Sequence, residues 1–540
     1  MKSAGVWTYS VVFILLAFLT GQTILSMRTK SATADEFHHH IASGYSYLVT
    51  GNFKMNPASP PFPRLLAAVP LYFLGAKAPL DHESWEKGGS PEFARQFFYH
   101  ANNRPDEFIF WARMPFVALS VLFGLSVFLF SRHLFGNIAG LVSLALYSFC
   151  PDFIAHSGLA GADIPVAFFF FLTLVSFWFY LKKPSFKGIA LTGIALGMAF
   201  LCKFSAILLL PILLVMALAG GKRKDISLPK TALCLLFCFF TIWAGYFFEV
   251  KPLLKDTPDP LKKETMYRKV GGEALLTIAQ KTPLPLSTFS SAFVSMMYTR
   301  AAGTSAYLMG EWSRNGWWYY YFVAFCIKNT VPFILLSILS FILIRKLGLD
   351  RLTFFFFTVP VVLFFTATLR DKAQAGIRYF LPIYPLLFIL CGGAADFLMK
   401  KSKLLKFFVI ALLAWHVSES LFIFPNYLAY FNEFIGGPRN GYKYLRDSNI
   451  DWGQDLKGLE LLAEQENYPE IVLVSLGSPN PKLPVRAITP EESAHPRKTV
   501  YAIGAHQIDG FPWAKQTRPT QVIGYSLFVY DLRQTKENSA

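Results

Sequence analysis

The chain has 540 residues, of which 54% are apolar and only 16% charged, with a mean hydropathy of +0.39. A soluble globular chain carries about 25% charged and roughly 45–50% apolar residues, so this composition excludes a disordered chain, a small disulfide scaffold and an ordinary cytosolic enzyme. It describes a membrane protein with a substantial polar remainder, and its net charge of +17 reads as membrane-flanking loops, with no nucleic-acid partner expected.

A bilayer-spanning helix needs about 20 apolar residues. Eleven segments approach that length: 8–27, 109–130, 134–150, 164–181, 187–201, 204–219, 231–248, 318–344, 352–369, 379–397 and 405–424. The first is long for a signal peptide and lacks a small-residue cleavage site, so it counts as a span. Orientation follows from Lys and Arg in short loops. One side carries sixteen: Lys2, Arg132, Lys182, Lys183, Lys187, Lys222, Arg223, Lys224, Lys230, Arg345, Lys346, Arg351, Lys400, Lys401, Lys403 and Lys406. The other side carries four: Lys203, Arg370, Lys372 and Arg378. That asymmetry predicts the N-terminus inside, the C-terminus outside, and a multi-pass protein of the inner (cytoplasmic) membrane.

Three long segments then fall outside: 28–108, 249–317 and 425–540. The first holds an apolar stretch, RLLAAVPLYFL (64–74), after NPASPPFP; it is too short to span and predicts a helix lying in the interface. The second is proline-rich, with mixed charge and short helices expected. The third changes character. A helical pattern near 453–466 is followed by IVLVSL (471–476), TVYAIG (499–504) and VIGYSLFVYDL (522–532), which read as strands. The organisation predicted is a membrane domain over 1–424 and a small extracytoplasmic α/β domain over 425–540. There is no internal repeat. The six cysteines (Cys150, Cys202, Cys234, Cys238, Cys326 and Cys391) lie in or beside apolar runs without a CxxC pair, and read as small buried hydrophobes.

Ionisable residues near membrane depth are costly and call for a functional hypothesis. The first cluster follows the first span: Asp35, Glu36, His38, His39 and His40. A carboxylate just above the outer face is a candidate general base, a role worth about 10²–10⁴-fold in a group transfer. A solvated loop acid or a helix cap is the alternative. Three adjacent histidines point in different directions on a helix, so no facial metal site is expected. One of them, with His40 as the candidate, orients Asp35 or meets substrate, or else sits as an interfacial side chain. The second cluster is Asp152, His156 and Asp163; His156 and Asp163 are two helical turns apart and could share a face, and the cluster suits acid–base work, a divalent ion, or simple capping by Asp163. The third is basic. Lys203 lies in a tight outer turn and Arg378 opens RYFLPIYP, both placed to meet a lipid phosphate or to anchor at the interface.

Several of these residues resemble one family. Asp35-Glu36 after the first span, GYSYL (44–48), GNF (51–53), Asn56 and PFP resemble the first outer loop of GT-C glycosyltransferases. The nearest likeness is to the bacterial branch of the protein O-mannosyltransferase family, family 39, which uses phospholipid carriers. Ala162-Asp163-Ile164-Pro165, the LCKFS turn around Lys203 and RYFLPIYP are similar too, and YLAYFNE (427–433) with DSNIDWGQDL (447–456) resembles a bacterial subgroup. Two features depart from the family. Ser59-Pro60-Pro61 stands where a HisProPro is common, and the outer domain does not read as a β-trefoil.

The resemblance implies a polyprenyl-phosphate sugar donor, a hydroxyl acceptor (protein, lipid A-like glycolipid or polysaccharide) and inversion at the anomeric carbon. Asp35 would be the base, with Glu36 supporting it or meeting the acceptor. Lys203 and Arg378 would hold the departing phosphate, and His40, His156 and Asp163 would contact substrate. No metal is required by this scheme, although a divalent cation fits beside Asp163 and His156. Asp451, Trp452 and Gln454 are either an acceptor surface or a packed Trp beside a cap. The rival reading is a transporter or flippase for a lipid-linked sugar, which would use broken helices in place of a reacting carboxylate.

Overall fold

The structure, a computed structural model, describes residues 5–220, 228–255 and 260–533. Lys2, Lys222, Arg223 and Lys224 of the positive set lie outside the described residues, as does Pro258 of the second outer loop.

The apolar runs all fold as helices, because a backbone in lipid must satisfy its own hydrogen bonds. In chain order these are α1 (Val6–Arg28), α2 (Ala42–Thr50), α3 (Phe62–Phe73), α4 (Pro105–Phe135), α5 (Asn137–Ser148), α6 (Pro151–Ser157), α7 (Asp163–Lys182) and α8 (Phe186–Cys202). They continue as α9 (Leu209–Gly220), α10 (Leu228–Gly245), α11 (Ser287–Ala302), α12 (Tyr320–Lys328), α13 (Val331–Leu343), α14 (Arg351–Thr368), α15 (Tyr384–Lys401) and α16 (Lys403–Ile423). Among the described residues seven helices are long and apolar enough to cross a membrane, and up to nine if each of two bent pairs is one span. The eleven spans expected therefore include pieces too short or too bent to qualify. Phe186–Cys202 and Phe204–Gly220 are shorter apolar helices. The segment 318–344 is not one rod: α12 and the helix after it meet at 119°. Asn329 and Thr330 are extended there, with Thr330 capping the N–H of Phe333 and Pro332 in the first turn of α13. The second bend, 64° between α5 and α6, falls at Cys150, which is extended because Pro151 follows it.

Helix association in lipid rests on close packing, since lipid tails are as apolar as Leu. Gly193 and Gly197 of α8 show the consequence: a Cβ on either would collide with the backbone carbonyls of Cys234 and Cys238 in α10. The centre of the bundle is aromatic. Phe388 has ring centroids at 4.9 Å from Phe333 and 5.6 Å from Phe153, and Phe153 lies 4.9 Å from Tyr147. Five of the six cysteines are buried and all are free; Cys326 is exposed, contrary to the expectation for the set, because α12 turns that position outward.

The interfacial helix predicted at 64–74 is α3. It buries Arg64, Ala67, Ala68 and Leu71 and exposes Val69, Tyr72 and Phe73. It lies so close to α2 that a Cβ at Gly44 would overlap the backbone of Arg64.

After Ile423 the chain does not leave the helices at once: Tyr427, Tyr430, Phe431, Asn449 and Ile450 are all buried against them. A helix, α17 (Leu456–Gln465), then leads into a mixed five-stranded sheet. Its spatial order is Val485–Arg486, Ile471–Val474, Val500–Gly504, Leu527–Asp531 and Gln521–Ile523. The first three strands run parallel and the last two are antiparallel neighbours. The run 522–532, read as one strand, is a hairpin. Gly524 and Tyr525 both take positive φ (59° and 64°) and Ser526 donates back to Ile523, which folds the run on itself. The edge strand Val485–Arg486 is too short to have been legible.

Candidate active site

Asp35 lies seven residues beyond the end of α1 and immediately precedes a short π-helical turn, Glu36–Ile41. That turn is fixed from beneath by its second residue. Glu36 and Arg113 of α4 are each 1% exposed and form a two-pronged ion pair, with Arg113 Nε to Oε1 at 2.8 Å and Nη2 to Oε2 at 2.7 Å. Oε1 also accepts the N–H of Ala160, and Oε2 accepts from Thr33. Arg113 spends its remaining N–H groups on the carbonyls of Met27, Lys30 and Ser31. Burial pushes the Glu36 carboxyl up, but Arg113 and the backbone N–H groups outweigh it and hold the pKa below the usual carboxylate value. Glu36 forms part of the cavity wall with both oxygens already taken, a geometry that fits the supporting role among the two expected for it and leaves no oxygen open for an acceptor. It holds the turn.

Asp35 differs. Its side chain is 35% exposed and faces a cavity of about 390 Å³. Across it stands Arg378, whose Nη1 lies 3.5 Å from Asp35 Oδ2 and 3.8 Å from Asp163 Oδ2. Asp163, at the start of α7, takes Lys203 Nζ at 2.7 Å on Oδ1, and His156 Nδ1 stands 3.8 Å from its Oδ2. Asp163 thus stands between two cations and a histidine in the cavity wall. Lys203 rests over the ring of Tyr379 at 4.0 Å, and Arg378 rests over the ring of Trp452 at 4.2 Å. Arg64 and Arg300 also line the cavity, the latter paired with Asp371 at 2.8 Å. The arrangement is a pocket whose cations outnumber its free carboxylates, with one part-exposed carboxylate at its edge.

The histidine run splits, as expected for neighbours on a helix. His38 bonds Ser478 of the C-terminal part at 2.9 Å, His39 gives its carbonyl to Arg64, and His40 lines the cavity. Burial, reinforced by Arg64, pushes the His40 pKa down to about 3, so it is neutral, and its buried Nδ1 has no partner among the described residues. The second sequence cluster splits as well. Asp152 turns away from His156 and Asp163 to stand 3.7 Å from the buried Lys328. Among the described residues no group of three His, Cys, Asp or Glu side chains converges as a metal site.

Trp452 lines the cavity, whereas Asp451 and Gln454 shape the turn that carries it. Asp451 accepts the N–H groups of Gly453 and His506, and its burial pushes its pKa up to about 6. Gln454 accepts from the N–H of Trp452 and donates to Ile450 and Asp455. Sequence reasoning missed Arg113, Lys328, Arg300, Arg64 and Tyr379. An arginine or lysine within an otherwise apolar helix was a usable signal for Arg113 and Lys328. No local signal marks Arg300, which reaches the cavity only because α11 packs beside the Tyr379 ring.

Residues 106–246 match the family model described as dolichyl-phosphate-mannose-protein mannosyltransferase. No curated protein matches the sequence. Among solved structures, the S. cerevisiae protein O-mannosyltransferase Pmt1-Pmt2 complex bound to the sugar donor is similar with a TM-score of 0.50 at 12% identity, covering 78% of this chain and 90% of that one. ArnT from Cupriavidus metallidurans bound to undecaprenyl phosphate aligns over 98% of both chains at 12% identity with a TM-score of 0.49. The chain is a membrane-embedded protein of the GT-C fold, and its residues 106–246 are similar to the family described as dolichyl-phosphate-mannose-protein mannosyltransferase.

Proposed function

We propose that the protein is an inverting glycosyltransferase that moves a sugar from a polyprenyl-phosphate donor to a hydroxyl acceptor at the outer face of the inner membrane. The observation that carries this reading is the meeting of Asp35 with Arg378 and the Asp163–Lys203 pair on one cavity. The family description and the donor-bound yeast complex support it. Asp35 takes the proton from the acceptor hydroxyl as the oxygen attacks the anomeric carbon. The bond from that carbon to the phosphate oxygen breaks, and the electron pair leaves on the lipid monophosphate. Arg378 and Lys203 meet the charge that develops there, where fixed cations in a water-poor cavity count most. Asp163 and Tyr379 hold those cations in place. His40, neutral and with an open ring nitrogen, is a contact for an uncharged hydroxyl. The side-chain cations supply the positive charge, so the scheme routes no step through a metal.

The flippase alternative called for broken helices, and two bent pairs are present. Asp152 and His156 follow the first bend and Lys328 precedes the second; Asp152 stands 3.7 Å from Lys328, and His156 lines the cavity. The test is turnover. Purified protein in detergent is offered polyprenyl-phosphate sugars one at a time with hydroxyl acceptors, and Asp35→Asn is compared with wild type. Sugar transfer by wild type that vanishes in the variant, with donor binding retained, is the expected result. Full transfer by Asp35→Asn would remove the base assignment, and donor binding without turnover in both proteins would favour transport.

A further inference from the structure

Arg378 hangs on irregular backbone. Gly376 before it has φ 94°, and a short 3₁₀ stretch, Ile377–Ile383, follows. Such backbone must find partners outside itself, and here they come from one distant turn. Asn449 Oδ1 accepts the N–H of Ile377 at 3.0 Å, and the Ser448 hydroxyl donates to Ala375 O at 2.9 Å. Arg378 Nε donates to that same carbonyl, at 3.0 Å, and its guanidinium lies on Trp452. Gly376 has no room for a Cβ because the Asn449 amide fills the space.

The turn grips the other side of the cavity as well. The carbonyl of Trp452 accepts the N–H of Ala34, next to Asp35, at 2.9 Å, and the carbonyl of Gln454 accepts that of Ser31. Asn449 itself is 1% exposed and held by its Nδ2 bonds to Tyr320 and Arg446; its own carbonyl accepts from Lys328 at 2.8 Å. The turn over residues 448–454 is therefore bonded to the backbone beside both Asp35 and Arg378, which lie far apart in the sequence and on different elements.

We propose that this turn is the positioning element of the Asp35–Arg378 pair and that Asn449 is the positioning residue for Arg378. The stretch carrying DSNIDWGQDL belongs to the site in this sense, although Asn449 touches no substrate. The effect on donor binding rests on the phosphate reading above; the positioning does not.

The test uses the full-length protein in detergent and the arginine reagent phenylglyoxal, with modification located by mass spectrometry. Asn449→Ala removes one buried bond to the Arg378 backbone and is expected to speed modification of Arg378 by about tenfold while leaving Arg300 unchanged. Ser448→Ala, which keeps the Asn449 bonds, gives a smaller rise in the same ratio and carries the test if Asn449→Ala does not fold. An unchanged Arg378-to-Arg300 ratio in the folded variants overturns the proposal. A second measurement reads binding of polyprenyl phosphate. Asn449→Ala should weaken it in wild type and have no further effect in Arg378→Gln, because it acts through that side chain. Equal weakening in both backgrounds overturns the proposal. Absence of binding to wild type would count against the phosphate reading alone, and the modification ratio would still decide the positioning claim.

Discussion

Asp35 and Glu36 are neighbours in sequence, and each faces an arginine. Glu36 meets Arg113 in a buried pair at the cavity wall, where both carboxylate oxygens have partners and each side chain is 1% exposed. Asp35 meets Arg378 at 3.5 Å, at the cavity's edge, with a third of its side chain open. The contrast teaches that charge near the membrane is not itself a sign of chemistry. A fully satisfied buried pair holds a shape, whereas a part-exposed carboxylate near cations leaves an oxygen facing open space. The same division separates Lys328, closed in by Leu428, Asn449 and Asp152, from Lys203, which lines the cavity.

Variants can break this comparison, beginning with the largest effect. Asp35→Asn should lower turnover by about 10²–10⁴-fold, the worth of a general base, and leave thermal stability in detergent unchanged. Arg113→Ala should do the reverse of that in kind: it strands a buried carboxylate and costs about 3–5 kcal/mol of stability, read as a lower melting temperature and poor recovery from the membrane. Replacing both partners, Glu36→Leu with Arg113→Met, should restore much of that stability, because the stranded charge is gone. A double variant as unstable as Arg113→Ala would show that Glu36 and Arg113 do not act as a pair.

Smaller effects sharpen the contrast. On the function proposed above, Lys203→Ala removes one charge-assisted contact to the leaving phosphate and should lower kcat/KM by about ten- to a hundredfold, with a smaller fall in melting temperature than the one expected for Arg113→Ala. Unaltered kinetics would take Lys203 out of the site. The acid range separates Glu36 in another way. Its pKa in the folded protein lies below the ordinary 4.5, so its contribution to stability is complete above that value and is lost as pH falls through the lower, folded-state pKa. Wild type should therefore lose melting temperature below pH 4.5, and Glu36→Gln should start lower and show a shallower loss over the same interval. Parallel curves would contradict the assignment. Chelation of divalent ions is expected to leave turnover of wild type unchanged, since Arg378 and Lys203 supply the positive charge; a loss reversed by added magnesium would reinstate a cation beside Asp163.

Much of the membrane part was legible. Long apolar runs can satisfy their backbone in lipid only as helices, so the position of nearly every helix followed from composition and Pro placement. The breaks within them did not, because a bend such as the 119° turn at Asn329-Thr330 costs no hydrophobicity and leaves little trace in a hydropathy profile. The hairpin at Gly524-Tyr525 was hidden for a related reason: a two-residue turn with positive φ interrupts an apolar run without changing its character. Asp35, Lys203, Arg378, His156 and Asp163 were legible as ionisable residues expected on one and the same side of the membrane, and they converge. Which of them would be satisfied and which would face open space was not legible, since that depends on partners such as Arg113, Tyr379 and Trp452, far away along the chain.

The sequence by itself determined a polytopic helical protein with a polar face on one side and the residue types for a transfer reaction gathered there, because hydropathy and charge asymmetry are local properties of the chain. Tertiary structure alone decided the division of labour among those residues. The 77-residue separation of Glu36 from Arg113 and the 72-residue separation of Asn449 from Ile377 are closed only when the bundle packs. Only that closure makes one carboxylate a fixed support and leaves its neighbour facing the cavity.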